Sequence, residues 1–137
     1  MILVDSSVWI DLLRKKPTPQ TKRLRDLLQS NQAAIAPVIY QEILQGASSS
    51  ENLVRLREYF SSLPFILPLD PIKTYENAGE LYARCRRSGI TPRSPHDCLI
   101  ACIAIEYGIP LLHDDRDFEA IARTEPRLLF ALIQEKI

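Results

Sequence analysis

The chain has 137 residues, of which 46% are hydrophobic and 25% are charged, and its 17 basic residues balance its 17 acidic residues. This length and composition are typical of one globular domain with a buried core, and we expect a single domain over residues 1–137. No apolar run approaches the roughly 20 residues of a membrane span, and a net charge of zero excludes attraction of nucleic acid by overall charge, so an anionic partner needs a local basic patch.

The first predicted element is a strand at the N-terminus. The apolar run Ile2-Leu3-Val4 shows no alternation and leads directly into Asp5. Such a run is typical of a strand that is buried on both faces, as in a parallel sheet. Asp5 would then stand at the carboxyl end of that strand, which is where open α/β sheets bind their ligands.

Helices and strands alternate along the rest of the chain. Helix starts are indicated by a capping residue followed by proline, as in Asp70-Pro71, and helix ends by glycine, as at Gly108. The predicted elements are, in chain order, helices over 8–14 and 18–30, a strand over 33–36, helices over 37–46 and 51–63, a strand over 65–69, helices over 70–88 and 94–108, a strand over 110–113, a short helix from 114 and a strand over 128–130. This alternation predicts an α/β fold with a parallel sheet between layers of helices.

Four acids, Asp5, Glu42, Asp97 and Asp115, stand just after predicted strands or in the first turns of helices. Asp5 and Asp115 each follow an apolar strand, so we expect both at the same edge of the sheet. Glu42 follows the second strand closely enough to reach that edge, whereas the helix of Asp97 follows a loop. Carboxylates that converge on one place repel one another unless a cation neutralises them. Hard oxygen ligands suit Mg²⁺ or Mn²⁺, and such an ion can activate water for attack on a phosphate ester.

Each acid also has a structural explanation. Asp5 or Asp115 could cap the following helix, and Glu42 could favour the positive end of its helix. The run Ser94-Pro95-His96-Asp97 matches a capping box, which favours an acid for local reasons. It is the ordered set of four acids, more than any one of them, that indicates chemistry.

The ordered set resembles the PIN domain family, and in length and layout the chain is similar to the VapC-type toxins of toxin–antitoxin pairs. The resemblance covers nearly the whole chain and rests on four segments, which are Ile2-Leu3-Val4-Asp5-Ser6-Ser7, Glu42-Ile43-Leu44-Gln45-Gly46, Asp97-Cys98-Leu99-Ile100-Ala101-Cys102 and Asp115-Arg116-Asp117-Phe118. One position departs from the pattern, because His113 stands where the family usually has Thr or Ser. This histidine could hydrogen-bond the site, ligate a softer metal, or be a satisfied histidine at a strand end.

The resemblance implies an α/β, PIN-like three-layer sandwich in which helices flank a central parallel sheet of four or five strands. It also implies an endoribonuclease that uses Mg²⁺ or Mn²⁺ to hydrolyse RNA phosphodiester bonds. Asp5 and Asp97 would be the direct metal ligands, and Glu42 and Asp115 would complete the shell or position the attacking water. The expected partners are an RNA substrate, an antitoxin protein that covers the site, and a second copy of the chain in a homodimer.

Residues around these acids would support the site. Ser7 matches a small polar position that usually supports the first acid in the family. Asp114 and Asp117 add negative charge beside Asp115, and either could join it at the metal. Contact with RNA would depend on local basic residues, for which the candidates are Arg14, Lys15, Lys16, Arg86, Arg87 and Arg93. A solvated helix face is the alternative interpretation of these charges.

Several other functions remain open at this point. A haloacid-dehalogenase-type phosphatase also begins with a strand and an Asp, but it usually needs a second Asp where Ser7 stands. A receiver-like signalling module needs a lysine after a late strand, and His113-Asp114-Asp115 supplies none. The remaining alternatives are a PIN-type RNA-processing nuclease without a toxin role and a non-catalytic metal- or RNA-binding module.

The cysteines and the N-terminus bear on the compartment. The three cysteines, Cys85, Cys98 and Cys102, lack a CxxC spacing and indicate neither a disulfide framework nor a zinc site. The N-terminus lacks the basic start and long apolar stretch of a signal peptide. We therefore expect a cytoplasmic protein.

Overall fold

The computed structural model describes residues 1–133, and its centre is a small parallel sheet. Strand β1 (Ile2–Val4) lies between β2 (Ala33–Ala34) and β3 (Leu111–Leu112), and both neighbours run parallel to it. Ile2 pairs with Ala33, and Leu3 pairs with Leu111. Leu3, Val4 and both flanking strands are buried, as expected for strands covered by helices on both faces.

The predicted α/β sandwich is confirmed, with helices between and around the strands. The helices within residues 1–133 are α1 (Ser6–Leu13), α2 (Pro19–Gln29), α3 (Pro37–Leu44), α4 (Ser50–Phe60), α5 (Pro71–Arg87), α6 (Pro95–Tyr107) and α7 (Arg116–Thr124). Helix α1 begins two residues earlier than the sequence pattern suggests, because the Asp5 side chain accepts a hydrogen bond from the Ser7 backbone N–H and caps the helix. Helix α6 ends at Gly108, whose positive φ of 64° closes the helix in the left-handed conformation.

The sheet has three strands where four or five were expected. The segments predicted as strands at 65–69 and 128–130 each contribute one parallel bridge, Ile35 with Phe65 on one side and Leu111 with Phe130 on the other. On the first side the partner segment ends at once, because Pro37 begins α3, and Pro68 has no N–H to continue the pairing. The two bridges extend the three-stranded sheet at both edges without forming full strands.

The core is built around α6, which is buried over most of its length and packs against α5. Trp9, Phe60 and Phe118 are fully buried, and the Trp9 ring meets Phe60 edge to face at 5.0 Å between centroids. The Trp9 indole N–H donates to the Val4 carbonyl at 3.0 Å, so this large side chain fastens α1 to the end of β1. No helix within residues 1–133 is long and apolar enough to cross a membrane.

Candidate functional site

Two of the four acids meet at the carboxyl edge of the sheet because their strands are parallel neighbours. Asp5 follows β1 and Asp115 follows the end of β3, and the backbone N–H of Asp5 donates to the Leu112 carbonyl at 2.9 Å. Both side chains also cap helices, since Asp115 accepts from the Asp117 N–H at 2.9 Å just as Asp5 accepts from Ser7. The capping explanation and the common site therefore both apply to these residues.

Ser7 joins the two strand ends. Its hydroxyl donates to Oδ2 of Asp5 at 2.7 Å and accepts from the backbone N–H of Asp114 at 3.0 Å. Asp5 is 3% exposed, and this burial raises the pKa of its carboxyl despite the opposing hydrogen bonds from Ser7. The hydrogen bond from Ser7 thus fixes the orientation of the Asp5 carboxylate.

Asp97 is a buried carboxylate without a hydrogen-bond donor among residues 1–133. It lies in the first turn of α6, where Ser94 caps the helix by accepting from the His96 N–H at 3.2 Å. The predicted capping box is therefore not formed, because Ser94 accepts from the N–H of His96 rather than from that of Asp97, and the Asp97 carboxylate accepts no bond from the Ser94 N–H. Burial first, and then the negative charges of the surrounding acids, raise the pKa of Asp97 to about 8. The acids that act on it are Asp5, Asp115, Asp117 and Glu42.

Glu42 approaches the same group of acids from α3. Its Oε1 atom is buried and has no hydrogen-bond partner within residues 1–133. Burial and the charge of Asp5 raise the pKa of Glu42 to about 7, even though the Ser6 hydroxyl acts in the opposite direction. A buried oxygen that lacks a donor carries a desolvation cost that a bound cation or water would relieve.

The tightest group of acids consists of Asp97, Asp115 and Asp117, each of which offers one carboxylate oxygen within 4.8 Å of the others. Arg93 lies against two of them. Its Nη2 donates to Asp115 at 2.8 Å, and its Nε and backbone N–H both donate to Asp117 at 3.0 Å. Burial would raise the pKa of Asp117, but the bonds and charge of Arg93 outweigh it and keep that pKa low.

Neighbouring residues on the same segment have other roles. Asp114 is exposed and contributes its backbone N–H, whereas Asp117 joins Asp115 and Asp97. Nδ1 of His113 accepts the Asp115 N–H at 3.1 Å, and its ring lies 5.2 Å from that of Phe118 and 4.5 Å from that of Phe130. Burial lowers the pKa of His113, so the ring is neutral and satisfied at the strand end.

The donor set fits a hard divalent cation. Five carboxylates converge here, while Arg93 is the basic side chain paired with them within residues 1–133. Every ligand offered is a carboxylate oxygen, which suits Mg²⁺ or Mn²⁺ better than softer metals. The unpartnered oxygen of Glu42 and the unpartnered carboxylate of Asp97 are what such an ion would satisfy.

The six basic residues predicted to contact RNA lie at three separate places in the structure. Arg14, Lys15 and Lys16 are exposed at the far end of α1, about 12 Å from its Asp5 cap at 1.5 Å per residue. Arg86 and Arg87 are exposed at the end of α5, before the loop that leads into α6. Arg93 lies in that loop, and its guanidinium pairs with Asp115 and Asp117, which the sequence did not predict.

Comparisons with known proteins identify the family and the fold. The family model described as PIN domain matches residues 2–124. A VapC ribonuclease of Mycobacterium bovis and ribonuclease VapC11 of Mycobacterium tuberculosis are each 38% identical to the chain over 125 residues, which is 90% of this chain and 92% of each relative. The crystal structure of VapBC2 from Rickettsia felis, bound to a DNA fragment from their promoter, contains a chain with a TM-score of 0.73 and 25% identity, covering 96% of this chain and 98% of that one.

Proposed function

Because this chain belongs to the PIN domain family, we propose that it is a divalent-metal-dependent endoribonuclease and the toxin of a toxin–antitoxin pair. The observation that carries the proposal is Asp97, a carboxylate only 6% exposed that has four other acids around it and no donor of its own within residues 1–133. Ribonuclease is also the activity named for relatives that are 38% identical to this chain. We further propose that residues 1–137 act as a single domain.

Asp97, Asp115 and Asp117 would hold the metal ion, since their carboxylate oxygens lie within 4.8 Å of one another. Asp5 and Glu42 would complete the shell, so the proposed order of ligands differs from the sequence expectation, in which Asp5 ranked with Asp97. A bound Mg²⁺ or Mn²⁺ would lower the pKa of a coordinated water and stabilise the negative charge that develops on the phosphate.

The protein's own residues would orient the reactants. Ser7 keeps the Asp5 carboxylate at the sheet edge through its 2.7 Å hydrogen bond. The buried Oε1 of Glu42 is free to accept a hydrogen bond, and we assign it the positioning of the attacking water. Asp5 and Ser7 lie where β1 leads into α1, and Glu42 lies in the last turn of α3, and such rigid supports keep a reacting geometry constant.

RNA would be held by exposed basic residues on both sides of the acids. Arg14, Lys15 and Lys16 follow α1, and Arg86 and Arg87 end α5. Lys and Arg bind the ribose-phosphate backbone without regard to base identity. This arrangement compensates for the formal net charge of zero. An antitoxin protein is the proposed regulatory partner, since one of the structural neighbours is part of a VapBC complex, and a homodimer is the proposed assembly.

Cleavage of an RNA panel tests the proposal. Purified protein, shown to be free of a bound partner, would be incubated with tRNAs and other structured RNAs in Mg²⁺, in Mn²⁺ and in EDTA. The matched variants are Asp97→Asn and Asp114→Asn, which make the same substitution in the acid group and on the exposed neighbour of Asp115.

We expect cleavage that requires metal, persists in Asp114→Asn and disappears in Asp97→Asn. Metal-independent cleavage, or equal activity in both variants, would contradict the proposed site. Binding of metal and RNA without any cleavage would favour the non-catalytic module. Cleavage that leaves cell growth unaffected when the chain is expressed alone would favour an RNA-processing nuclease without a toxin role.

A further inference from the structure

Arg93 reaches the acids from the surface of the molecule. Its side chain is 75% exposed, yet it forms ion pairs of 2.8 Å with Asp115 and 3.0 Å with Asp117. The two bonds come from different nitrogens of the guanidinium, so the group bridges the two carboxylates. The same two acids belong, with Asp97, to the trio that lies closest together in the site.

Within residues 1–133, Arg93 is the basic residue that forms ion pairs with members of the five converging acids, and it pairs with two of them, Asp115 and Asp117. Arg116 acts on Asp117 through its charge without an ion pair within 4.0 Å. Asp97, which has no donor in this part of the chain, is left with uncompensated negative charge around it. The guanidinium therefore stands where a positive charge is needed and supplies only part of it.

We propose that Arg93 is a built-in competitor of the divalent cation, and that the ion must weaken or displace its ion pairs with Asp115 and Asp117. This inference rests on the proposed metal site and adds to it a residue that sets the affinity of the ion. A positive charge beside a cation site lowers the affinity for the ion whether or not the two share the same oxygen atoms. In the ion-free protein, Arg93 thus positions the carboxylates of Asp115 and Asp117.

Displacement of the Arg93 guanidinium by the metal ion would cost little free energy because of how its side chain is held. Ion pairs of an exposed arginine contribute little free energy individually, whereas a divalent ion interacts with all the carboxylates at once. The backbone N–H of Arg93 also donates to Asp117, so the loop can keep its place while the side chain moves. This coupling is reciprocal. If the ion weakens the contacts of Arg93 with the acids, those contacts must lower the affinity of the site for the ion by the same factor. The released guanidinium would lie beside the proposed cleavage site, with a charge suited to an RNA phosphate.

The competing interpretation is that Arg93 is a latch that only fastens the loop of residues 88–94 to α7. A latch and a competitor predict opposite changes in metal affinity when the charge is removed. Loss of a latch would leave the acids less ordered, so the ion would bind equally well or more weakly. Loss of a competitor would make the ion bind more tightly.

Calorimetric titration of Mn²⁺ at fixed ionic strength distinguishes the two interpretations, using the full chain and the variants Arg93→Gln, Arg55→Gln and Asp97→Asn. Arg55 is the matched control, because it is an exposed arginine of α4 that forms no ion pair with the five acids within residues 1–133. We expect Arg93→Gln to bind Mn²⁺ about five- to tenfold more tightly and Arg55→Gln to stay within about twofold of the wild type. Asp97→Asn should lose binding with or without Arg93.

Unchanged or weaker binding in Arg93→Gln would overturn the inference. If the wild type binds Mn²⁺ and Asp97→Asn does not, the proposed metal site stands even in that case. If neither the wild type nor Arg93→Gln binds, both proposals fail.

A second measurement covers the case in which the Arg93→Gln variant folds poorly. The NMR signal of the Arg93 Nε–H, held at 3.0 Å from Asp117, should shift as Mg²⁺ is added to the wild type and reach its limit at the same Mg²⁺ concentration as binding. An unperturbed signal at saturation would also overturn the inference.

Discussion

Two carboxylates in this protein are buried to the same extent and have opposite surroundings. Asp97 and Glu125 are each 6% exposed. Glu125 accepts hydrogen bonds from Arg127 and Arg84, with distances of 2.9–3.1 Å to their guanidinium nitrogens, and these bonds lower its pKa to about 2. Asp97 has no donor within residues 1–133, and burial among other acids raises its pKa to about 8.

The difference teaches how to separate a structural acid from one that awaits a ligand. Burial alone does not distinguish them, because the exposed fraction is identical. What differs is the neighbouring charge, because Glu125 is paired with two arginines, whereas Asp97 is surrounded by other acids. Charged donors offset the desolvation cost of a buried carboxylate, whereas a buried carboxylate without donors keeps that cost, which points to a functional role.

The largest expected difference is in catalysis. Asp97→Asn should lower RNA cleavage by at least about a thousandfold, because it removes a carboxylate from the proposed metal centre. Glu125→Gln should keep most of its activity per folded molecule when measured well below its melting temperature. Cleavage rates at saturating Mg²⁺, normalised to the folded fraction by circular dichroism, make this comparison. The reverse order of the two variants would refute the distinction.

The two variants should rank in the opposite order for loss of stability. Glu125→Gln should lower the free energy of unfolding by about 1–2 kcal/mol, since it removes the charge of a buried carboxylate that accepts hydrogen bonds from Arg84 and Arg127. Asp97→Asn should not destabilise the metal-free protein near neutral pH, because the Asp97 carboxyl, with its pKa of about 8, is itself protonated there, and the amide that replaces it can also donate to a neighbouring acid. Urea denaturation in EDTA measures both. A larger loss in Asp97→Asn would place Asp97 among the structural acids.

The dependence of stability on pH should show the same contrast in the metal-free protein. The pKa of Asp97 is raised to about 8, so the native state binds a proton that the unfolded state releases above about pH 4, and stability should fall as pH rises from about 4 to 8. Glu42, with a pKa of about 7, should add to this decline. Asp97→Asn should flatten it and be more stable than the wild type by about 2 kcal/mol at about pH 8.

Glu125 gives the opposite sign, because its pKa is lowered to about 2. Its contribution is present at neutral pH and is lost as pH falls from about 4.5 to 2. Thermal unfolding in EDTA across the pH range separates the two windows. If the decline above about pH 4 were the same in the wild type and in Asp97→Asn, the raised pKa of Asp97 would not be its cause.

The smallest expected effect concerns RNA affinity. Changing Arg86 and Arg87 together to Gln should weaken RNA binding and reduce the slope of log affinity against log salt by about 0.7 for each RNA phosphate that the variant no longer neutralises. The matched double variant changes Arg55 and Arg57, which are exposed on α4. It should leave the salt slope unchanged. Equal effects of the two double variants would show that the RNA does not follow the end of α5.

Much of this arrangement could be predicted from local sequence, and the rest depends on contacts between distant residues. The run before Asp5 and the caps of α5 and α6 contain their own signals, so strand β1 and these helices were predictable. The segments at Phe65 and Phe130 also have strand-like sequences, but each makes a single bridge, because the length of a strand depends on how far a distant partner segment runs beside it.

The site shows the same division. Asp5, Asp97 and Asp115 could be found because each follows a strand or begins a helix, whereas Glu42 lies in the last turn of α3 and was found only as part of the ordered set. The bond from the backbone of Asp114 to Ser7 joins residues 107 apart, and the pair of Arg93 with Asp115 joins residues 22 apart. The charge of Arg93 therefore looked free to bind RNA in the sequence, although the fold places it against Asp115 and Asp117. Pairing of this kind decides which buried acid is satisfied.

The most direct test of the central claim is anomalous X-ray scattering from crystals of the protein soaked in Mn²⁺. The account predicts a strong peak coordinated by Asp97 together with Asp115 or Asp117, and its loss in Asp97→Asn crystals. A peak elsewhere, such as beside Glu125, or no peak at saturating Mn²⁺, would contradict the assignment of these acids as a metal centre.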